Sequence, residues 1–256
     1  MQGFIKTNPI PGSDSLLCEA QGLELLETAL NRAGIRDLRI PTRLEISRER
    51  LCLSLIESAS GSDSQMRVLG AALATLHRER SPQYGLGSAN YIGLSPQPNV
   101  KTDRWGEFFI EYRLGFQIDR ITDKSLRERY LAELRQCQEP LAQFLNETSR
   151  GPALVHGDLW SGNVLFDRNG QQVWLIDPAA YYADPDVDLA MTEMFGGFSD
   201  AFYQSYDAVN PRSDAYPLKR RIYNFYHYLN HYNLFGSSYL SGCEAGLTAL
   251  NETLYR

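Results

Sequence analysis

His156-Gly157-Asp158-Leu159-Trp160-Ser161-Gly162-Asn163 is followed, fourteen residues after Asn163, by Asp177 at the end of an apolar run. An aspartate, an asparagine five positions on and a second aspartate beyond a hairpin are the residue types that phosphoryl transfer from a nucleotide requires. The first accepts the proton of an attacking hydroxyl. The other two supply the hard oxygen ligands that magnesium prefers. Asp158, Asn163 and Asp177 fit these three roles. The competing reading is a solvated loop with scattered acidic and amide residues, and a lone His-x-Asp triplet would not decide against it. Here the triplet coincides with the asparagine spacing, an Asn169-Gly170 hairpin signal, the apolar stretch at 173–176 and the terminal aspartate.

The elements that must hold these residues can be read from periodicity. Residues 3–7 suit a short strand, and Leu16, Ala20, Leu23 and Leu26 recur at helical spacing through 16–33, where Gly34 stops the helix. A new extended stretch begins at 39–41, and 51–56 reads as a buried strand running into a Ser/Gly linker at 58–62. Met66, Leu69, Leu73 and Leu76 define the next helix, after which Gly85, Gly87, Gly93, Pro96 and Pro98 predict a loop. Residues 105–117 read as helix. Ser125 and Glu128 have capping-box spacing before an apolar series that Pro140 should bend or interrupt. Helical spacing returns over 218–235. The expectation is an α+β chain, with residues 1–57 forming a first lobe and 58–256 a mostly helical second one.

Composition narrows the function classes. The 256 residues carry a net charge of −6 with no run of Lys or Arg, which argues against a protein that grips nucleic acid through its phosphates. Cys18, Cys52, Cys137 and Cys243 form no C-x-x-C pair and read as free thiols. No stretch reaches the length of a membrane span and the start lacks a secretory apolar run, so a cytoplasmic protein without a membrane partner is expected.

The strings HGDLWSGNVLF, LIDPAAYYADPDVDLAMTEMFGGF and YNFYHYLNHYNLFG, together with EFFIEYRLGFQ and NYIGLSPQPN, resemble the fructosamine kinase (ketosamine 3-kinase) family within the aminoglycoside and choline kinase group. The likeness spans nearly the whole chain. It implies a protein-kinase-like bilobal fold and transfer of a phosphoryl group from ATP, with Mg2+, to the sugar 3-hydroxyl of a ketosamine. The product is unstable and frees the amine, so a role in deglycation is implied. Substrates would be small ketosamines or glycated lysines on proteins. By this resemblance Lys6 binds the α- and β-phosphates with Glu19 as its helix partner, although each alone reads as a surface charge. Ser54, Leu55 and Ile56 would offer main-chain groups to adenine. Asp158 would be the base, with Asn163 and Asp177 holding the metal and His156 in support. Asp188 would begin the helix that accepts hydrogen bonds from the catalytic loop.

One departure is visible. The family pattern places two strands and a Gly-rich turn before the lysine strand, whereas five residues precede Lys6. The expectation is therefore an N-terminally shortened chain with an incomplete first lobe and an unpaired strand edge at Ile5. A non-catalytic ketosamine- or nucleotide-binding module stays open on that ground, as does a kinase for another small-molecule hydroxyl. Trp160 could stack on a sugar ring or on the stem of a glycated lysine, or simply pack within the lobe. His227 and His231 stand at zinc-site spacing without an evident third ligand, so packing or substrate hydrogen bonding is expected of them. Asp184, Asp186 and Asp188 alternate like a calcium loop, but Leu189 and Phe195 occupy the places of its glycine and glutamate.

Overall fold

The computed structural model describes residues 3–168, 170 and 172–255. In chain order the elements are β1 (Gly3–Thr7), α1 (Ser15–Arg32), β2 (Leu38–Arg39), β3 (Arg43–Ile46), β4 (Arg50–Ser54), β5 (Ser58–Ala59), α2 (Asp63–Leu76), β6 (Asn90–Ile92) and β7 (Ser95–Gln97). Then come α3 (Trp105–Phe109), α4 (Phe116–Asp119), α5 (Lys124–Thr148), β8 (Ala153–Val155), β9 (Val164–Asp167), β10 (Val173–Leu175), β11 (Tyr181–Ala183), α6 (Asp186–Met194), α7 (Asp200–Val209), α8 (Tyr216–Phe235) and α9 (Leu240–Asn251).

β1 and β3 flank β4 in an antiparallel sheet that sets Lys6 opposite Leu51. Among the described residues β1 is an edge strand. A second sheet, in the order β2-β10-β9-β5, joins β2 in parallel to β10, so segments on either side of residue 57 share one hydrogen-bonded sheet. They also share one apolar core. Leu16, Leu23 and Leu26 of α1 and Leu51 and Leu53 of β4 pack in one cluster with Leu69 and Leu73 of α2, Phe166, Val173 and Phe202. The other cluster gathers α3, α5, α8 and α9 around Trp105, Phe109, Tyr223 and Phe225.

Several sequence expectations are corrected. Residues 58–62 are no mere linker. Ser58 and Ala59 pair with β9, and Ser62 caps α2 in a reciprocal capping box with Gln65. Gln65 also donates to the carbonyls of Asp167 and Gly170 at 2.9 and 3.2 Å, which ties the start of α2 to the β9–β10 hairpin. Asn169 of that turn lies outside the described residues. The strand expected over 51–56 ends at Ser54, and the loop expected around Gly93 contains the β6–β7 hairpin. The helix expected over 105–117 contains a π-helical turn over Ile110–Gly115. Asp123, not Ser125, caps α5 by accepting from Leu126 N–H. Pro140 does not interrupt α5. A proline inside a helix removes one hydrogen bond and crowds the carbonyl four residues back, at a cost of about 3 kcal/mol, and burial of Tyr130, Leu134, Cys137, Leu141 and Leu145 along the same face offsets it.

The contact between α2 and α7 allows a direct check of packing. A β-carbon on Gly70 would lie 2.2 Å from the carbonyl oxygen of Phe202, a backbone atom that cannot swing away. Gly70→Ala should destabilise the fold by about 1–3 kcal/mol, read as a lower urea midpoint at unchanged slope. An unchanged midpoint would show that the two helices separate freely.

Candidate active site

β1 presents Lys6 to α1 and to the residue that follows the β9–β10 hairpin. Lys6 Nζ donates to Glu19 Oε1 at 2.7 Å and to Asp177 Oδ1. Burial opposes the lysine charge, but the two carboxylates outweigh it and hold the ammonium above its usual range. Glu19 pays for sharing. Burial pushes its carboxyl up and Asp177 adds to this, while Lys6 only partly compensates. The structure thus brings Lys6, Glu19 and Asp177 together from residues 171 positions apart.

The His156–Asn163 loop is shaped by its hydrogen bonds to neighbouring elements. Gly157 has φ +82°, and a β-carbon there would stand 2.3 Å from the Ala179 carbonyl oxygen, so the His156–Asp158 turn needs glycine. Asp188, buried in the first turn of α6, accepts from the His156 N–H at 2.7 Å and the Gly157 N–H at 2.8 Å. His77 Nε2 stands 3.2 Å from the same carboxylate, and its Nδ1 meets the Tyr206 hydroxyl at 2.9 Å. Burial alone would raise the Asp188 carboxyl, but these hydrogen bonds and the neighbouring imidazoles bring it below its usual value. His156 Nε2 lies 2.9 Å from the Ile176 carbonyl while its Nδ1 accepts from Asp158 N–H at 3.3 Å. That pattern assigns the proton to Nε2 of a neutral ring. Burial agrees with it, holding the imidazole below its ordinary pKa.

Asp158 itself is half-buried, and its carboxyl is pushed up to about 7. Burial is the main cause and the charges of Asp177 and Asp188 add to it, against a stabilising hydrogen bond from Asn163. Asn163 Nδ2 donates to the Asp158 carbonyl at 2.8 Å and to its Oδ2 at 3.3 Å, and the Asn163 carbonyl accepts from Ile176 N–H at 3.1 Å. These bonds fix the amide against Asp158 and tie the Asn163 backbone to the residue before Asp177. They leave Asn163 Oδ1 without a hydrogen-bond partner among the described residues. That oxygen and the Asp177 carboxylate are hard-oxygen groups that could hold magnesium if a nucleotide supplied its other ligands.

The raised Asp158 carboxyl has a stability consequence. In the unfolded chain it ionises near 3.8 and in the fold near 7, so the folded state is penalised increasingly as pH rises through that interval and fully above it. Asp158→Asn carries no such penalty. Its melting temperature should exceed that of the unsubstituted protein by a margin that widens between these two pH values and then levels off. Parallel curves would contradict the burial argument.

Other expected residues fall around this centre. Ser54 is committed to the sheet, donating its N–H to Thr42 O at 2.8 Å and accepting from Thr42 N–H at its Oγ at 3.0 Å. Leu55 and Ile56 have no main-chain partner among the described residues. Trp160 is 39% exposed and meets Phe195 edge-on at 6.3 Å. Phe195 continues to His231 at 5.4 Å, and His231 to Tyr239 at 5.0 Å and Phe235 at 5.6 Å. This partly exposed aromatic row beside the loop was not read from the sequence, because its members come from three segments, at 160, 195 and 231–239. The Met194–Phe198 stretch is seated against the loop, as a β-carbon on Gly197 would lie 2.5 Å from Ser161 Cβ. His231 Nδ1 pairs with the His227 carbonyl at 2.8 Å, and His227 is buried. Asp184 and Asp186 belong to buried Lys219, at 2.7 and 2.5 Å. A cavity of about 460 Å³ lies behind α1, lined by residues such as Cys18, Leu25 and Tyr182 and by none of Asp158, Asn163 or Asp177.

The family model for fructosamine kinase matches residues 1–252. The chain belongs to the fructosamine kinase family. A probable ketoamine kinase of Synechocystis sp. is 39% identical over 241 residues, covering 92% of this chain and 78% of that protein. The chloroplastic protein-ribulosamine 3-kinase of Arabidopsis thaliana is 34% identical over 245 residues, covering 93% of this chain and 72% of its own. In fold, this fructosamine kinase family member is similar to a crystal structure assigned as a fructosamine-3-kinase from Haemophilus somnus 129PT. The TM-score is 0.82 and the identity 24%, over 98% of this chain and 83% of that one. An ADP-bound aminoglycoside phosphotransferase matches with a TM-score of 0.58 at 16% identity, over 98% of this chain and 88% of that one. The fold is therefore protein-kinase-like and α+β, as the sequence led one to expect, and the chain is a phosphotransferase.

Proposed function

We propose that this phosphotransferase moves the γ-phosphoryl group of ATP to the sugar 3-hydroxyl of a ketosamine, a fructosamine or ribulosamine adduct of an amine. The observation that carries this reading is Asp158. It has a carboxyl held near neutral pH, pinned by Asn163 on a loop anchored to Asp188, and it shares a site with the Lys6–Asp177 pair. The acceptor oxygen would attack phosphorus while its proton passes to Asp158. The oxygen–phosphorus bond to the new ester forms, the bond to the β-phosphate oxygen breaks, and ADP leaves with the electron pair. Lys6, held by Glu19, would steady the α- and β-phosphates. Asn163 and Asp177 would hold magnesium, which supplies charge neutralisation across the phosphate oxygens when bound. Leu55 and Ile56 would offer their main-chain groups to adenine.

The names of the Synechocystis and Arabidopsis relatives support the acceptor class. The aromatic row from Trp160 to Tyr239 suits it as well, since a ketosamine joins a polar sugar to the apolar stem of an amine. A 3-phosphate turns a stable adduct into an unstable one, so release of the free amine makes deglycation the proposed role. No described helix is long and apolar enough to cross a membrane. The acceptor class is tested by incubating the chain with Mg-ATP and fructosyl-lysine, ribulosyl-lysine, lysine, choline or an aminoglycoside, with ADP formation as readout. Turnover is expected with the two ketosamines alone. Turnover with choline or the aminoglycoside instead would move the chain to another hydroxyl acceptor, and binding of ketosamine without turnover would make it a binding module.

A further inference from the structure

Asp177 adopts φ +55°, a left-handed conformation that is uncommon outside glycine and is held here by bonds on either side. On the upstream side Ile176 supplies the restraint, through its N–H to the Asn163 carbonyl and its own carbonyl to His156. Downstream, the Ala179 N–H donates to the His156 carbonyl at 2.9 Å, and a distant part of the chain holds the carbonyls of the same stretch. Asn90 Nδ2 donates to the Ala180 carbonyl at 3.0 Å, and Gln97 Nε2 donates to the Ala179 carbonyl at 3.1 Å. Asn90 and Gln97 are directly paired residues of β6 and β7, and Gln97 Nε2 also donates to Asn90 Oδ1 at 2.9 Å. Their remaining acceptor sites are filled by Asn99 Nδ2, 2.8 Å from Asn90 Oδ1, and by the Tyr226 hydroxyl, 2.7 Å from Gln97 Oε1. Arg113 closes the network, donating to Asn99 Oδ1 at 2.7 Å with its guanidinium over Tyr181 at 4.1 Å and Phe108 at 4.6 Å.

Gln97 and Arg113 are fully buried and Asn90 nearly so. Buried amides cost free energy unless every group is paired, and apolar side chains would fill this space with less risk. What the amides provide is direction. Their donors converge on two consecutive carbonyls, two and three residues beyond Asp177. The same stretch also seats α1, because a β-carbon on Gly22 would come within 3.1 Å of Pro178 Cγ, and Gly22 follows Glu19 by three residues.

We propose that the Asn90–Gln97 pair is a clamp that fixes Asp177 in its ligating conformation and, through Pro178, keeps Glu19 in reach of Lys6. The two amides are positioning residues. This rests on the proposed role of Asp177 as a metal ligand, and outer-shell partners of that kind typically change metal affinity by about 10–100-fold.

The test uses Asn90→Ala and Gln97→Met with two readouts that need no acceptor. The first is amide hydrogen exchange in the ligand-free protein. Residues 179–183 should exchange faster in each variant while the amides of α5 and α8 keep their original rates. The second is ADP affinity with and without magnesium, where the factor by which magnesium tightens ADP should fall by roughly tenfold or more. Faster exchange throughout the molecule with an unchanged magnesium factor would assign the network to general stability and overturn the clamp. Unchanged exchange at 179–183 would overturn it as well. Should Asn90→Ala fail to fold, Gln97→Met carries the same measurements, and failure of both to fold would likewise assign the amides to the core. Magnesium that does not tighten ADP in the unsubstituted chain would remove Asp177 as ligand and the clamp with it. Absent ketosamine turnover beside a normal ADP result would bear on the acceptor alone.

Discussion

Asp158→Asn should lower kcat by about 10²–10⁴ while leaving the nucleotide KM nearly unchanged. The substitution keeps the side chain's size and removes its ability to take a proton. Asn163 donates to the Asp158 backbone carbonyl as well as to the carboxylate, and the backbone bond survives the change, so the loop should keep its shape. The pH profile separates this role from simple positioning. With the Asp158 carboxyl at about 7, the unsubstituted enzyme should lose kcat/KM progressively as pH falls below that value, because the protonated acid cannot receive the hydroxyl proton. The residual activity of the variant should not follow the same ionisation. Full turnover by the variant, or an identical acid limb in both proteins, would remove Asp158 as the base.

The second large effect is expected at Asp177. Among residues other than glycine, asparagine is one that tolerates positive φ, so Asp177→Asn removes the charge while respecting the +55° backbone angle. Lys6 would keep Glu19 at 2.7 Å, and the carboxyl of Glu19 would fall, since one of the causes holding it up is the charge of Asp177. The Lys6–Glu19 ion pair thus survives. What the proposed mechanism loses is the anionic ligand that would stabilise charge moving between the β- and γ-phosphates, and kcat/KM should fall by roughly 10²–10³. Steady-state rates at saturating magnesium check this. A variant within threefold of the unsubstituted chain would show that Asp177 does not bind the reacting phosphates through a metal.

How much of this could be seen in the sequence depends on how local the signal is. Asp158, Asn163 and Asp177 are fixed by loop spacing and a hairpin, both short-range features. α1 and α8 follow from regular apolar spacing over one face, and the structure places them, like β1, within a residue or two of the expected limits. The β6–β7 hairpin escaped because Ser95-Pro96-Gln97 has neither length nor alternation, and its register rests on buried amides. Asp123 and Ser125 both have capping chemistry, and only the backbone geometry decides between them. Gln97 meets Ala179 across 82 residues and Tyr226 across 129, where no periodicity links them. The aromatic row beside Trp160 is hidden for the same reason. Lys6 and Glu19 are an intermediate case. Alone they read as surface charges, yet both are largely buried, at 16% and 15% side-chain exposure, because the ion pair with Asp177 draws them inward.

The central claim, transfer of phosphate to the sugar of a ketosamine, is tested most directly by following phosphorus itself. Phosphorus NMR of a mixture of this chain, Mg-ATP and fructosyl-lysine or ribulosyl-lysine should show a new phosphomonoester coupled to the sugar proton at C3, growing in step with ADP. Formation of ADP with inorganic phosphate from the outset and no ester signal, or an ester at another hydroxyl, would contradict the account.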